Sequence, residues 1–141
     1  MNDCHMIEYG KHMIGPHNYK ELELMLAGLK PMARFTIELD FPETGKIDQG
    51  FDQHVKSGKI KKYYVKSTNG LPTERRYYYL EGEEWRVKTC ELMWACIGSK
   101  FLSAFTPDDL HRLDGWLLGY AKEDIEDFIQ QSNARKTNKK F

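Results

Sequence analysis

The five histidines of this 141-residue chain are the side chains best suited to metal or acid–base chemistry. Three of them lie near the start, beside a cysteine and an aspartate: His5, His12, His17, Cys4 and Asp3. Imidazole, thiolate and carboxylate groups bind transition metals, but no two of these histidines have the i, i+4 spacing of a helical zinc pair. No cysteine pair completes the set. The sequence therefore predicts no metal site and no cofactor.

Each of the other two histidines lies near a carboxylate. His54 is two residues from Asp52, and His111 is three residues from Asp114. A histidine and a carboxylate can share general acid–base work, but on a helix such neighbours more often lie on the solvated face. The sequence has no nucleophile elbow, phosphate-binding loop or dinucleotide-binding turn. We assign no catalytic residue, and an enzyme of unknown class is the third alternative.

The stretch 59–80, KIKKYYVKSTNGLPTERRYYYL, combines five tyrosines and six basic side chains with Glu74 as its only acid. Aromatic rings and cations together can bind nucleic acid, although tyrosine is also a good strand former. As a hairpin, the stretch would expose one of its two faces. The candidate macromolecule-binding residues on that face are Lys62, Tyr64, Lys66, Arg76 and Tyr78. A structural hairpin is favoured, then a protein-binding face, then a nucleic-acid site, because the chain lacks overall basic charge.

Composition indicates one soluble domain, with 40% hydrophobic and 30% charged residues, zero net charge and a mean hydropathy of -0.66. The charge is unevenly distributed. Segment 59–80 has a net charge of +5, from six basic residues and one acidic, and segment 106–131 has -5, from two basic and seven acidic. No apolar run is long enough to span a bilayer, and the start resembles no signal peptide. With three unpatterned cysteines, this predicts a cytoplasmic protein without a membrane partner.

The first half of the chain predicts a helix followed by strands. Asn18 fits an N-cap, and apolar side chains then recur at helical spacing: Tyr19, Leu22, Met25, Leu26 and Leu29. Period-two alternation in 33–41 predicts a strand that buries Phe35, Ile37 and Leu39. One or two helical turns are expected over 51–58, before the hairpin.

The second half predicts three helices. The central one, over 81–101, carries a stripe of Val87, Cys90, Met93, Trp94 and Ile97, and further apolar residues around it predict cover on more than one side. Thr106 with the acids after Pro107 predicts a capped helix start. A last helix turns Ile125, Phe128 and Ile129 inward.

These patterns favour an α+β fold. We expect one domain over 1–131, with a small, mostly antiparallel sheet of three or four strands packed against helices, and a frayed basic tail over 132–141. The absence of catalytic signatures favours macromolecular binding, with a protein partner, as an accessory, regulatory or inhibitor protein. A nucleic-acid-binding module that uses the hairpin 59–80 is the alternative. The oligomeric state is not predicted.

Overall fold

The computed structural model describes residues 19–68 and 70–138. Two short 3-10 turns, Pro42–Lys46 and Gln49–Phe51, lie between the first strand and the second helix. The regular elements in chain order are α1 (Glu21–Leu26), β1 (Met32–Glu38), α2 (Asp52–Lys56), β2 (Lys61–Ser67), β3 (Thr73–Tyr79), α3 (Glu84–Ala95), α4 (Lys100–Ser103), α5 (Pro107–Leu117) and α6 (Lys122–Asn138). The predicted single α+β domain with a small antiparallel sheet is confirmed.

The sheet has the strand order β1-β3-β2, so the last strand in sequence is the central one. Both pairings are antiparallel and run without a break through seven residues, from Met32 opposite Tyr79 to Glu38 opposite Thr73, and from Lys61 to Ser67 on the other side. β1 and β2 are therefore the two edges of the sheet.

Helices cover both faces of the sheet, which gives three layers. α1, α2 and the 3-10 turns cover one face, and the core between them contains Met25, Ala33, Phe35, Ile37, Phe51, Ile60 and Tyr78. α3 and α5 cover the other face, where the core contains Met32, Tyr77, Tyr79, Val87, Cys90, Leu117 and Leu118. Because neighbouring residues of a strand point to opposite faces, β3 is buried on both sides.

The central strand also binds one carboxylate on each face, in two arrangements that we call clamps. On the α2 side, the Arg76 guanidinium donates to both oxygens of Asp48 at 3.0 and 3.2 Å, and the Tyr78 hydroxyl donates to the same carboxylate. On the α3 side, Arg75 donates to both oxygens of Glu91 at 3.0 and 2.9 Å, and the Tyr77 hydroxyl also donates to it. The clamps join the sheet to the layer on each side.

The predicted capped start of α5 is present. Thr106 Oγ1 accepts from the Asp109 amide at 3.1 Å, and the Asp109 carboxylate accepts from the Thr106 amide, which completes a capping box. Gly119 follows the helix with φ +83°, and a Cβ there would lie 2.4 Å from Pro31 Cδ. Both the backbone conformation and the close contact require glycine.

The structure corrects three predicted details of the helices and strands. In α1, Leu24 and Met25 are buried, whereas Leu26 lies on the exposed side of the helix and Leu29 is exposed after the helix has ended. Leu39 is exposed because β1 ends at Glu38. Four helices, not three, follow the sheet, since the predicted central helix breaks between Ala95 and Lys100. Asn18 lies outside the described residues.

The last helix extends into the segment that the sequence predicts as a tail. Helical geometry continues in α6 through Asn138, beyond the predicted boundary at Ser132, and the Asn133 amide lies 3.3 Å from the Asp108 carboxylate. The side chains from Asn133 to Lys136 are exposed, so that fraying of this end remains a prediction. Among the helices in the described part of the chain, none is long and apolar enough to cross a membrane.

Candidate functional site: an apolar groove between α3, α4 and α5

A groove of about 400 Å³ opens between the C-terminal half of α3, the short helix α4 and the first turns of α5. Its apolar walls are Met93, Trp94, Ile97, Leu102 and Leu110. Its polar floor is formed by Arg34, Cys90, His111 and Asp114. An apolar cleft with a few polar groups at one end is the usual form of a binding site.

The groove exists because the apolar stripe of α3 is longer than its cover. Val87 and Cys90, in the first half, are 4% and 2% exposed beneath the sheet and α5. Trp94 and Ile97 continue the same stripe but are 47% and 64% exposed. The predicted stripe is therefore correct in its residues. The prediction that it is covered on more than one side is wrong for its second half, among the residues that the structure describes.

α4 and the chain after it enlarge the apolar surface beside the groove. Phe101 and Phe105 pack edge to face with ring centroids 5.5 Å apart, and they are 63% and 41% exposed. On the other side, the Arg75 guanidinium lies 4.5 Å above the Trp94 ring, which is within cation–π range. The Phe101–Phe105 pair and the Trp94 ring thus border the groove.

The floor of the groove contains an ion pair that is already satisfied. Arg34 donates from Nη1 and Nη2 to the two oxygens of Asp114 at 2.6 and 2.8 Å, in the bidentate geometry of a strong pair. Burial raises the pKa of the Cys90 thiol above its ordinary value, even though the neighbouring Arg34 cation opposes this shift. A raised pKa favours the protonated thiol, which is a weaker nucleophile than the thiolate.

The alternative in which His111 and Asp114 share acid–base work is not formed, because each side chain has another contact. Asp114 is engaged by Arg34, and the His111 ring packs edge to face on Phe128 at 5.5 Å. His54 lies on α2 with its ring nitrogen 3.4 Å from the Gln53 amide, and no acid–base arrangement with Asp52 is formed. Within the described parts of the chain, no three His, Cys, Asp or Glu side chains are placed to hold a metal ion. The N-terminal candidates His5, His12, His17, Cys4 and Asp3 lie outside the described residues.

The structure separates the five candidate residues of the hairpin into two groups. Lys62 is half-buried and Lys66 exposed, and Tyr64 is 57% exposed. Tyr78 is fully buried, so the prediction that it lies outside with them is wrong. Arg76 is paired with Asp48 and with Glu74, at 2.5 Å from the latter. Tyr78 and Arg76 are covered because α2 and the 3-10 turns pack on the face of the hairpin that the sequence predicts to be exposed to solvent.

Sequence reasoning identified the stripe of α3 but missed the groove. The available signal was the apolar surface around α3 together with Phe101 and Phe105, which follow it in the chain. Periodicity shows which side chains share a face, but it does not show how far a neighbouring helix extends along that face. No protein-family model, curated protein or solved structure matches this chain.

Proposed function

We propose that this protein acts by binding another protein, as an accessory, regulatory or inhibitor subunit, and that the partner fills the groove between α3, α4 and α5. The observation that carries the proposal is the exposure of Trp94 and Ile97 on the stripe whose first half is core. Covering a contiguous apolar surface is favourable, and tryptophan is enriched among residues that dominate binding energy. We expect the interaction to take place in the cytoplasm.

The chemistry of the groove favours an amphipathic helix as the partner's segment. The walls belong to helices or their ends and are apolar, which suits the large side chains that such a helix inserts at i, i+3 and i+4. At the floor, Arg34 and Asp114 neutralise each other. A charged ligand would have to break this bidentate pair, whereas an apolar side chain leaves it intact.

The test uses two leucine-sized residues with nearly equal exposure, Leu92 in the second half of α3 and Ile97 two residues after its end. Ile97 is 64% exposed in the groove, and Leu92 is 63% exposed outside it. Ile97→Asp places a carboxylate among apolar walls, and Leu92→Asp makes the same change away from them. We expect Ile97→Asp to weaken binding at least about thirtyfold and Leu92→Asp to leave binding within about twofold.

The measurement begins with quantitative mass spectrometry of proteins retained by the parent chain and by each variant. Any protein lost with Ile97→Asp but kept with Leu92→Asp is then purified and titrated by calorimetry. The proposal fails if no purified protein distinguishes the two variants. It also fails if light scattering shows a dimer of this chain that Ile97→Asp alone dissociates, since the groove would then be filled by a second copy.

A further inference from the structure

We propose that the open edge of β2 binds an extended acidic segment of another protein as a fourth strand of the sheet. β2 is an edge strand, seven residues and about 23 Å long, and its pairing with β3 has no bulge. On its outer side, alternate backbone N–H and C=O groups point away from β3. At the opposite edge, the Glu38 amide of β1 donates to Thr44 Oγ1 at 3.0 Å, and β2 has no comparable contact with the described residues.

Two neighbouring tyrosines flank this edge on opposite faces. Tyr63 points to the α3 side and is 46% exposed, and Tyr64 points to the α2 side and is 57% exposed. An added strand also turns alternate side chains to the two faces, so it would cover both rings at once. Beside Tyr63, a cavity of about 190 Å³ reaches to Val87 on α3 and can accept a partner side chain on that face.

The charge of the edge selects an acidic strand. Lys59, Lys61, Lys62 and Lys66 follow one another along β2 and the residues just before it. Among the described acids, Glu81 lies 3.7 Å from Lys61 in an exposed pair, and no ion pair is formed by the other three lysines. Like charges on two such edges repel, which disfavours pairing with a second copy and favours a strand of the opposite sign.

The same geometry disfavours nucleic acid. Successive bases of a single strand stack on rings that share one surface, whereas Tyr63 and Tyr64 lie on opposite faces. Tyr78 is in the core, and the charge of Arg76 is neutralised by Asp48 and Glu74. A strand partner needs none of these buried groups. The surface is separate from the groove, because no groove-lining residue belongs to β2.

The test uses a synthetic peptide of alternating glutamate and threonine with capped ends, carrying a fluorescent label. Two control peptides have N-methyl groups on alternate backbone nitrogens, in the two possible registers, which keeps the charge but removes the edge hydrogen bonds. We expect the parent peptide to bind, measured by anisotropy, and to protect alternate amides between Lys61 and Ser67 from hydrogen exchange. At least one N-methylated peptide should bind about tenfold more weakly.

Charge is tested with matched double variants. Lys62→Glu with Lys66→Glu should weaken peptide binding at least about tenfold, and Lys122→Glu with Lys136→Glu, the same change on α6, should leave it within about twofold. Circular dichroism checks that both variants fold. The proposal is overturned if both N-methylated peptides bind as well as the parent, if the parent fails to bind at about 1 mM, or if a single-stranded oligonucleotide binds more tightly than the peptide.

Discussion

Glu91 shows how a single side chain joins the sheet to α3. Burial alone would raise the pKa of this carboxyl group, but the hydrogen bonds from Arg75 and Tyr77 outweigh burial and lower the pKa below its ordinary value. The same bonds tie β3 to the middle of α3, next to the place where Arg75 covers Trp94. Glu91, which joins the sheet to α3, thus also holds Arg75 against Trp94 in the wall of the groove.

This lowered pKa predicts a pH dependence. A carboxyl group whose pKa is lower in the folded state adds stability above its unfolded pKa, and this contribution disappears as the pH falls through the folded value. Glu91→Gln should therefore be clearly less stable than the parent at pH 7, and the difference should shrink as the pH falls below about 4. Urea unfolding between pH 7 and pH 3 measures it.

The control for this experiment is Glu81→Gln, because the Glu81 side chain is 89% exposed and, among the residues that the structure describes, forms a single long ion pair, with Lys61. It should unfold like the parent at every pH. If the stability lost in Glu91→Gln were the same at pH 3 as at pH 7, the loss would come from packing and not from charge.

For single residues, the sequence predicts the face on which a side chain lies better than it predicts the residues that the side chain contacts. Alternation along a strand requires Tyr77 and Tyr79 to lie on one face of β3 and Tyr78 on the other, and this is what the two cores show. It cannot show that Asp48, 28 residues from Arg76, lies against one face while Glu91 lies against the other. Such contacts depend on how the layers close, and this is not encoded in any local pattern.

At the scale of elements, α3 behaves as two half-helices with different surroundings. The half that contains Val87 and Cys90 is core, and the half that contains Trp94 forms the groove. The cap at Thr106, the alternation that buries Phe35 and Ile37, and the hairpin are local features, and the sequence predicts them correctly. The burial of α3 depends on the length of α5 and on the turn at Gly98, and for this reason it was overestimated.

Because the second half of α3 is exposed, truncating a side chain there should cost less stability than truncating a buried side chain of α5. Trp94→Ala should cost about 1 to 2 kcal/mol, because Trp94 is half exposed and its contact with Arg75 contributes about 0.5 to 1 kcal/mol. Leu117→Ala should cost about 2 to 5 kcal/mol, because Leu117 is fully buried. Denaturant unfolding compares the two variants. A larger loss for Trp94→Ala would mean that the groove is closed in the free protein.

For the whole molecule, the uneven distribution of charge separates two surfaces. The hairpin carries the +5 segment, and α5 and α6 carry most of the -5 segment. Within the latter, Arg112 pairs with Glu126 and with Asp109 across the outer side of the two helices. The proposed edge and groove therefore differ in the chemistry of the partner that each one selects.

The domain boundary can be tested at this scale. Removal of residues 132–141 should cost less than about 1 kcal/mol, because α6 buries Ile125 and Ile129 before that point and exposes Asn133 to Lys136 after it. Urea unfolding of the truncated chain measures the cost. Truncation at 121 is the opposite case, since it uncovers the contact between Ile125 and Gly115 and should prevent folding. A large loss from the first truncation would place the end of α6 within the core unit.

The residues of the two clamps do not distinguish one register of β3 from the next. β3 presents arginine after arginine and tyrosine after tyrosine, so a slip of one residue, which turns a strand over, would again offer one arginine and one tyrosine to each layer. These four residues therefore carry no information about which face belongs to which layer. That information lies at the ends of the strand, where Glu74 is buried towards α2 and Tyr79 towards α3. The side chains at positions 74 and 79 thus distinguish the two faces of β3, although neither of them donates a hydrogen bond to Asp48 or Glu91.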